Sequence, residues 1–167
     1  IIDSKSGYSG AGRGIHKKFE NKNLYDSLSA YGVGFHRHNS EIHQELKKYS
    51  RGNLSFDFTP HLSPMFKGIL STIYVDLNSN ITQQKLINSL NKYYKKHKFV
   101  KILSKNKLIS TNAVINTNYC FISICKTKSK NKMIILSAID NLIKGGAGQA
   151  VQNLSLIHIS EPTRPSL

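Results

Sequence analysis

The chain has no tryptophan, only two cysteines and two methionines in 167 residues, and little acid: nine Asp and Glu stand against 24 Lys and Arg, a formal charge of +15. Each shortage excludes something. Cys120 and Cys125 cannot build a multi-bridge disulfide framework, and a spacing of five matches no common zinc or redox motif, so a reduced cytoplasmic protein is expected. No apolar run approaches the roughly 18 residues that a membrane-spanning helix requires. The net charge alone would fit a disordered chain, but 39% hydrophobic residues in periodic segments fit a folded one. The length allows one domain, or one domain plus a fragment.

Lys, Asn and Ile are in excess, supplying 54 of the 167 residues. A basic surface attracts phosphate backbones. Only four of the 24 cations are Arg, however, the side chain best suited to bidentate phosphate and guanine contacts. The excess therefore reads as compositional drift on solvated faces, and nucleic acid is not an expected partner. A basic nucleic-acid-binding module remains the non-enzyme alternative; it would need a Lys/Arg stripe with stacking aromatics.

The order of elements is α+β. Ile1-Ile2 reads as the end of a buried strand, followed by a glycine-dense loop from Ser4 to Gly14 and a weak helical stretch through Phe19. Leu28 to Val33 is a predicted strand, broken by Gly32 and Gly34. Asn39 or Ser40 can cap a helix with Ile42, Leu46 and Tyr49 on one face, ending near Gly52. Leu54, Phe56 and Phe58 alternate with polar residues as in a half-buried strand, Ile69 to Leu77 is another, and Pro60 to Gly68 joins them as a loop. Thr82 can cap a helix with Leu86, Leu90 and Tyr93 on one stripe. Tyr119–Lys126 and Lys132–Ile139 form a predicted antiparallel hairpin, and Asp140 or Asn141 caps a last helix to about Asn153. These elements predict one mostly antiparallel sheet covered by helices.

Four constellations can carry chemistry. The run Ser6-Gly7-Tyr8-Ser9-Gly10-Ala11-Gly12-Arg13-Gly14 has four glycines in eight positions. That spacing lets the backbone turn tightly and come close to a ligand. It is neither a P-loop, because Arg13-Gly14 stands where Lys-Ser/Thr must be, nor a dinucleotide fingerprint, because Ile15 stands where the third glycine belongs. An ordinary Gly-rich surface turn is the plain alternative. In the second, His36 and His38 are two apart on a predicted extended segment and so face the same way, ahead of a helix N-terminus, with Arg37 between them and Glu41 in the first turn. This is a compact acid–base and anion-holding group. A His-x-His pair is also a metal-ligand pattern, with Glu41 or His61 as a third ligand, but it lacks the supporting spacings and no metal is expected.

The third, Phe58-Thr-Pro-His61-Leu-Ser-Pro-Met-Phe-Lys67-Gly68-Ile69, fixes His61 and Lys67 in a rigid crossover at a strand end. Lys67 there can neutralise a phosphate. The fourth, Asp140-Asn141-Leu-Ile-Lys144-Gly145-Gly146-Ala-Gly148, has three glycines within four positions. A helix tolerates these best where another backbone or a cofactor approaches closely.

Together the runs DSKSGYSGAGR (Asp3 to Arg13), YGVGFHRHNSEI (Tyr31 to Ile42), FTPHLSPMFKGIL (Phe58 to Leu70) and SAIDNLIKGGAGQAVQN (Ser137 to Asn153) resemble the N-acetyl-gamma-glutamyl-phosphate reductases, within the wider semialdehyde dehydrogenase group. The resemblance implies NADP-dependent reduction of a small acyl phosphate to a semialdehyde through a cysteine thioester, in a homo-oligomer that meets neither nucleic acid nor membrane. It implies His38 as the acid/base, with His36 beside it and Glu41 orienting it. Ser9, Gly10, Ala11 and Gly12 would lie against the nicotinamide end of the cofactor, with Asn141 and Gly145 on its other side. Arg37, His61 and Lys67 are the implied substrate carboxylate or phosphate contacts. Lys67-Gly68 departs from the family's usual Arg-Gly and loses the bidentate fork.

The family's nucleophile and its Gly-rich nucleotide-binding domain of the Rossmann type are not in this sequence, and Cys120 and Cys125, on a predicted strand facing opposite sides, are read as structural. The expected organisation is a catalytic and dimerisation domain over residues 1–139 and a C-terminal helix over 140–153. Residues 154–167 read as the in-frame translation of a sequencing-library adapter. Aspartate-semialdehyde dehydrogenase, or a lysine-pathway relative, is the nearest alternative enzyme.

Overall fold

The computed structural model describes residues 1–11, 26–50, 52–77 and 81–160. Seven strands form one mixed sheet: β1 (Ile2–Gly7), β2 (Ser29–Ala30), β3 (Phe58–Ser63), β4 (Ile69–Asp76), β5 (Val100–Ile102), β6 (Cys120–Lys126) and β7 (Lys132–Ile139). Their order is β2-β3-β1-β4-β7-β6-β5. Pairing is antiparallel except at β1/β3 and β5/β6, so the sheet is mixed, with antiparallel pairs in the majority. The predicted β6–β7 hairpin forms with the predicted bounds on β7.

Alternation along the strands assigns the two faces. Ile135 stands opposite Ile73 and Ile124, and Met133 opposite Val75. This face carries the helix α2 (Gln83–Tyr93), whose Ile87 joins Ile124 and Met133 in a buried cluster, with Val75, Leu77, Leu86, Leu90 and Ile102 packed against it. Thr82 caps α2 as predicted, its Oγ1 accepting the Lys85 N–H at 3.2 Å. Leu86 and Leu90 of the predicted stripe lie against this cluster, but the apolar face is rotated to centre on Ile87, and Tyr93 is exposed. Gln83 explains the rotation, because its buried amide donates to the Ile124 carbonyl at 2.7 Å and to Asn106 Oδ1 at 3.0 Å.

Four expectations are corrected. The Ser4–Gly14 loop begins later, since Ser4 to Gly7 complete β1 between β3 and β4. The strand expected at Leu54 to Phe58 is shifted, because Pro60 to Ser63, predicted as loop, belong to β3. Pro60 is tolerated because its nitrogen lies on the β2 side: its carbonyl accepts the Tyr31 N–H at 3.1 Å but it has no N–H to return. Pairing therefore stops at Ala30, and Gly32 then turns the chain away with φ +59°, which reduces the predicted Leu28–Val33 strand to two residues.

The last correction concerns the C-terminal helix. After Ile139 the chain makes a wide turn over Ile143–Ala147, with bonds from Gly145 N to Asp140 O at 2.9 Å and from Ala147 N to Leu142 O at 3.0 Å. A helix follows over Gly148–Ser160, so it starts later than Asn141 and runs past Asn153. No proline interrupts it before Pro162, and Leu154 and Leu156 are more than half exposed on it. This helix is α3; α1, the other helix among the described residues, spans His38–Lys47.

Candidate functional site

Where β1 ends, four segments meet. The tight turn Tyr8–Ala11 docks on the Met65–Gly68 loop through three backbone bonds: Gly7 N–H to Gly68 O (2.8 Å), Tyr8 N–H to Met65 O (3.0 Å) and Ser9 N–H to Phe66 O (3.1 Å). Asn141 closes the junction. Its side chain, in a residue only 8% exposed, accepts the Gly68 N–H at Oδ1 (2.7 Å) and donates from Nδ2 to Ser9 Oγ (3.0 Å). Gly10 lies flat on that carboxamide, and a Cβ there would stand 2.9 Å from Asn141 Nδ2. Gly68 is required for two reasons: φ is +102°, and a Cβ would meet the Thr111 side chain at 2.7 Å.

Asp140, fully buried, underlies this arrangement. Its Oδ1 accepts the N–H groups of Leu142 and Ile143, both at 2.8 Å, and its Oδ2 accepts the Asn116 N–H at 2.8 Å. Burial alone would raise its pKa, but the N–H groups of Ile143, Asn116 and Leu142 and the charge of Lys67 outweigh it and hold the carboxyl below its ordinary value. Lys67 Nζ in turn donates to Asn116 Oδ1 at 2.8 Å. Sequence reading gave Asp140 only a helix-capping role. Its one signal was its place ahead of Asn141 and a glycine run, and nothing local announces a partner at Asn116.

Of the residues expected to face the cofactor, Ser9, Gly10 and Asn141 are thus brought together. Ala11 ends the same turn, and Gly12 lies outside the described residues. Gly145 sits in the wide turn after Asp140, bonded to the Asp140 carbonyl. The adjoining Lys144 has its pKa lowered by burial and donates to Gln152 Oε1 at 2.9 Å.

The histidine group forms at the other end of the same strands. Gly7 pairs with Ser63, whereas Ile2 pairs with Phe58, roughly 16 Å away along the sheet at about 3.3 Å per residue. His36 packs edge-on against Phe58 (ring centroids 5.4 Å), Tyr31 (5.2 Å) and His38 (4.8 Å). The two imidazoles are neighbours as predicted, but for a different reason. The segment is a turn and not a strand, and α1 begins at His38 itself, with Arg37 in the capping position and no side-chain cap from Asn39 or Ser40.

The His38 N–H donates to His36 Nδ1 at 3.2 Å, which leaves the proton of a neutral His36 on Nε2. Burial first, then the charges of His38 and Arg37, lower the His36 pKa against an opposing pull from Glu41. Glu41 reaches His38 only loosely, Oε2 to Nε2 at 3.9 Å, with both side chains well exposed.

His61 belongs to neither group. Strand alternation turns it to the face opposite Phe58, where its Nδ1 lies 3.1 Å from Asp3 Oδ1, and Asp3 also pairs with Lys5. Of the other two residues expected to contact substrate, Arg37 stands at the head of α1 and Lys67 on the loop after β3, bonded to Asn116. Cys120 and Cys125 are free thiols on β6 facing opposite sides; burial raises the Cys120 pKa, and its Sγ lies 3.6 Å from Ser137 Oγ. Among the described residues no group of three or more His, Cys, Asp or Glu is arranged to hold a metal ion, and no helix is long and apolar enough to cross a membrane.

Comparison with known proteins places the chain. Residues 1–141 match the family model of the semialdehyde dehydrogenase dimerisation domain. Curated relatives include the N-acetyl-gamma-glutamyl-phosphate reductases of Desulforamulus reducens, 46% identical over 94% of this chain and 45% of the relative, and of Staphylococcus aureus, 42% identical over 98% and 48%. The chain thus spans about half the length of the curated relatives it matches. Aspartate semialdehyde dehydrogenase II of Vibrio cholerae superimposes with a TM-score of 0.70 over 96% of this chain and 55% of that one. A probable aspartate-semialdehyde dehydrogenase of Pseudomonas aeruginosa does so with 0.72 over 96% and 54%. Both are 13% identical, a likeness of fold alone. The chain belongs to the semialdehyde dehydrogenase family, as its dimerisation domain.

Proposed function

We propose that this domain serves an NADP-dependent reductase that converts N-acetyl-gamma-glutamyl phosphate to the corresponding semialdehyde, in the cytoplasm and in a homo-oligomer. The observation that carries the reading is the junction at Ser9, Gly68 and Asn141. It joins three of the four runs on which the family resemblance rests, although they are far apart in the chain. The identity with reductases of that name, 42–46%, favours this substrate over aspartyl phosphate, whose enzymes resemble the chain in fold only.

The residues present fit the planar end of a nicotinamide cofactor. Gly10 is exposed, carries no side chain, and is backed by the buried Asn141 amide, so the turn offers a flat floor. NADPH supplies the hydride when bound; Ser9, Gly10, Ala11, Gly12, Asn141 and Gly145 are the residues proposed to hold it. Asn141 acts indirectly, since its Oδ1 and one N–H are committed to Gly68 and Ser9. His38, half exposed at the start of α1, is the proposed acid/base that gives a proton to the oxygen of the reacting carbonyl. His36 accepts the His38 backbone N–H and fixes where that residue sits, and Glu41 draws its ring. Lys67 and the exposed Arg37 are the proposed contacts for substrate phosphate or carboxylate.

A second copy is proposed to pack on the sheet face opposite α2, which presents Lys5, His61 and Tyr74. The decisive assay uses the full-length enzyme with NADPH or NADH, comparing N-acetyl-gamma-glutamyl phosphate with aspartyl phosphate. Faster turnover of aspartyl phosphate overturns the substrate assignment, and a preference for NADH overturns the cofactor. Residues 1–153 alone are expected to turn over neither.

A further inference from the structure

Asp140 is a fully buried carboxylate that the proposed chemistry does not use. Its two oxygens instead hold two separate segments. Oδ1 takes the N–H groups of Leu142 and Ile143 and so fixes the start of the wide turn that follows Asn141. Oδ2 takes the N–H of Asn116, a residue with φ +60° whose own side chain receives the Lys67 ammonium. Asn141 is flanked on both sides by this clamp, and its carboxamide reaches Gly68 and Ser9 at 2.7 and 3.0 Å from a backbone that the clamp immobilises. Lys67 and Gly68 are adjacent, so both arms end on the same loop by different routes.

We infer that Asp140 is a positioning residue that keeps the cofactor floor at Asn141 and the substrate cation at Lys67 in one fixed relation. The inference rests on the functional reading above for what the two arms serve. A charge-assisted bond to a buried carboxylate contributes more than a neutral one. An amide in its place can accept on one side only, because its NH₂ would face an N–H donor on the other. Asp140→Asn therefore breaks one arm whichever way the amide is turned, and loss of the charge weakens the arm that is kept. Asn116→Gly is complementary: glycine accepts φ +60°, keeps the N–H for Asp140, and removes only the side chain that holds Lys67.

The test uses the full-length enzyme. Asp140→Asn is expected to raise the KM for NADP and for the acyl phosphate about tenfold each, the worth of roughly one such bond, with kcat within about threefold. Asn116→Gly is expected to raise only the acyl-phosphate KM, about threefold, as for an exposed polar contact. Amide hydrogen exchange supplies a readout independent of catalysis. In Asp140→Asn it must quicken at Gly68, whose N–H bonds to Asn141 and not to Asp140, as well as at Leu142, Ile143 or Asn116. Faster exchange confined to the residues that Asp140 itself caps, with both KM values unchanged, overturns the inference. A wild-type enzyme that turns over no acyl phosphate refutes the functional reading instead, and the exchange at Gly68 still decides the positioning role. Should Asp140→Asn not fold, an Asn116→Gly enzyme with an unchanged acyl-phosphate KM overturns the coupling to Lys67.

Discussion

At the Gly7–Ser63 end of the β1–β3 pair, the backbone of four chain segments is tied by buried polar side chains, whereas at the Ile2–Phe58 end His36 sits on a turn and His38 opens a helix in which no residue is buried. Asp140 and Asn141 leave almost no surface open to water, while Phe35 and Tyr49, on either side of His38 in sequence, are 82% and 75% exposed. The difference follows from what each end is proposed to do. A floor for a flat cofactor and a phosphate contact gain from fixed geometry, because preorganised donors cost nothing to arrange at the moment of reaction. An acid/base must exchange protons with its surroundings, and His38 with Glu41 at 3.9 Å is placed for that. One end is set by this chain's own network; the other has its rings gathered but its helix unsupported.

Two glycines with positive φ provide the sharpest way to break the comparison. Gly68 and Gly34 have φ of +102° and +80°, but only Gly68 is crowded, by Thr111. Gly68→Ala is expected to cost roughly 3 kcal/mol, backbone strain plus steric clash, and Gly34→Ala about 1 kcal/mol from strain alone. Urea unfolding midpoints measure both. Equal losses would mean that the histidine end is as tightly built as the asparagine end.

Next in size is the chemistry. His38→Ala in the full-length enzyme is expected to cut turnover by roughly 100-fold or more, while shifting stability by less than about 0.5 kcal/mol, as for a surface position. Steady-state rates and melting temperatures decide it together. An unchanged rate moves the acid/base role to His36, whose neutral ring carries its proton on Nε2.

The same contrast governs what the sequence could reveal. The β6–β7 hairpin and the Thr82 cap were legible because they are local: alternation and a capping hydroxyl act within a few residues. The Pro60–Ser63 strand was not, since two prolines signal a loop and only the neighbouring strand shows that the Pro60 nitrogen faces the short β2 edge. Ser9, Gly10 and Asn141 were legible as a group through family resemblance, but their mutual bonding was not, because the partners are 132 residues apart. The orientation of His61 was hidden for a similar reason. Its motif marks it as a site residue, and strand parity, unknown until β3 was located, turns it to the face that carries Asp3. Asp140 was legible as a cap, the part its local bonds to Leu142 and Ile143 play, but not as the partner of Asn116, 24 residues away.

Acid should separate the two ends. The Asp140 carboxyl is held below its ordinary value, so its contribution to stability is complete above the unfolded carboxyl range near pH 4 and is lost as pH falls through its lower native value. The His36 imidazole is also held down, from 6.5, so the folded state prefers its neutral form. That increment is complete above the unfolded pKa and disappears as pH falls through the lower native value. Melting temperature should therefore decline in two steps on acidification. His36→Gln should remove the upper one and Asp140→Asn the lower. A profile in which neither substitution alters its own step contradicts the placement of both groups.

The smallest expected effect tests the helices. α1 and α2 both present a leucine on an apolar stripe, but Leu90 packs against the cluster of Ile87, Ile124 and Met133, while Leu46 is 39% exposed on a helix with no buried residue. Leu90→Ser should destabilise the 167-residue chain by about 2 kcal/mol through lost apolar burial. Leu46→Ser should change it by less than about 0.5 kcal/mol. A loss at Leu46 that grows to match Leu90 in the full-length enzyme, but not in the 167-residue chain, would show that α1 is covered by the rest of the protein. The histidine end would then owe its rigidity to that cover. If Leu46→Ser is equally mild in both, α1 stays open and His38 works at the surface of the assembled enzyme.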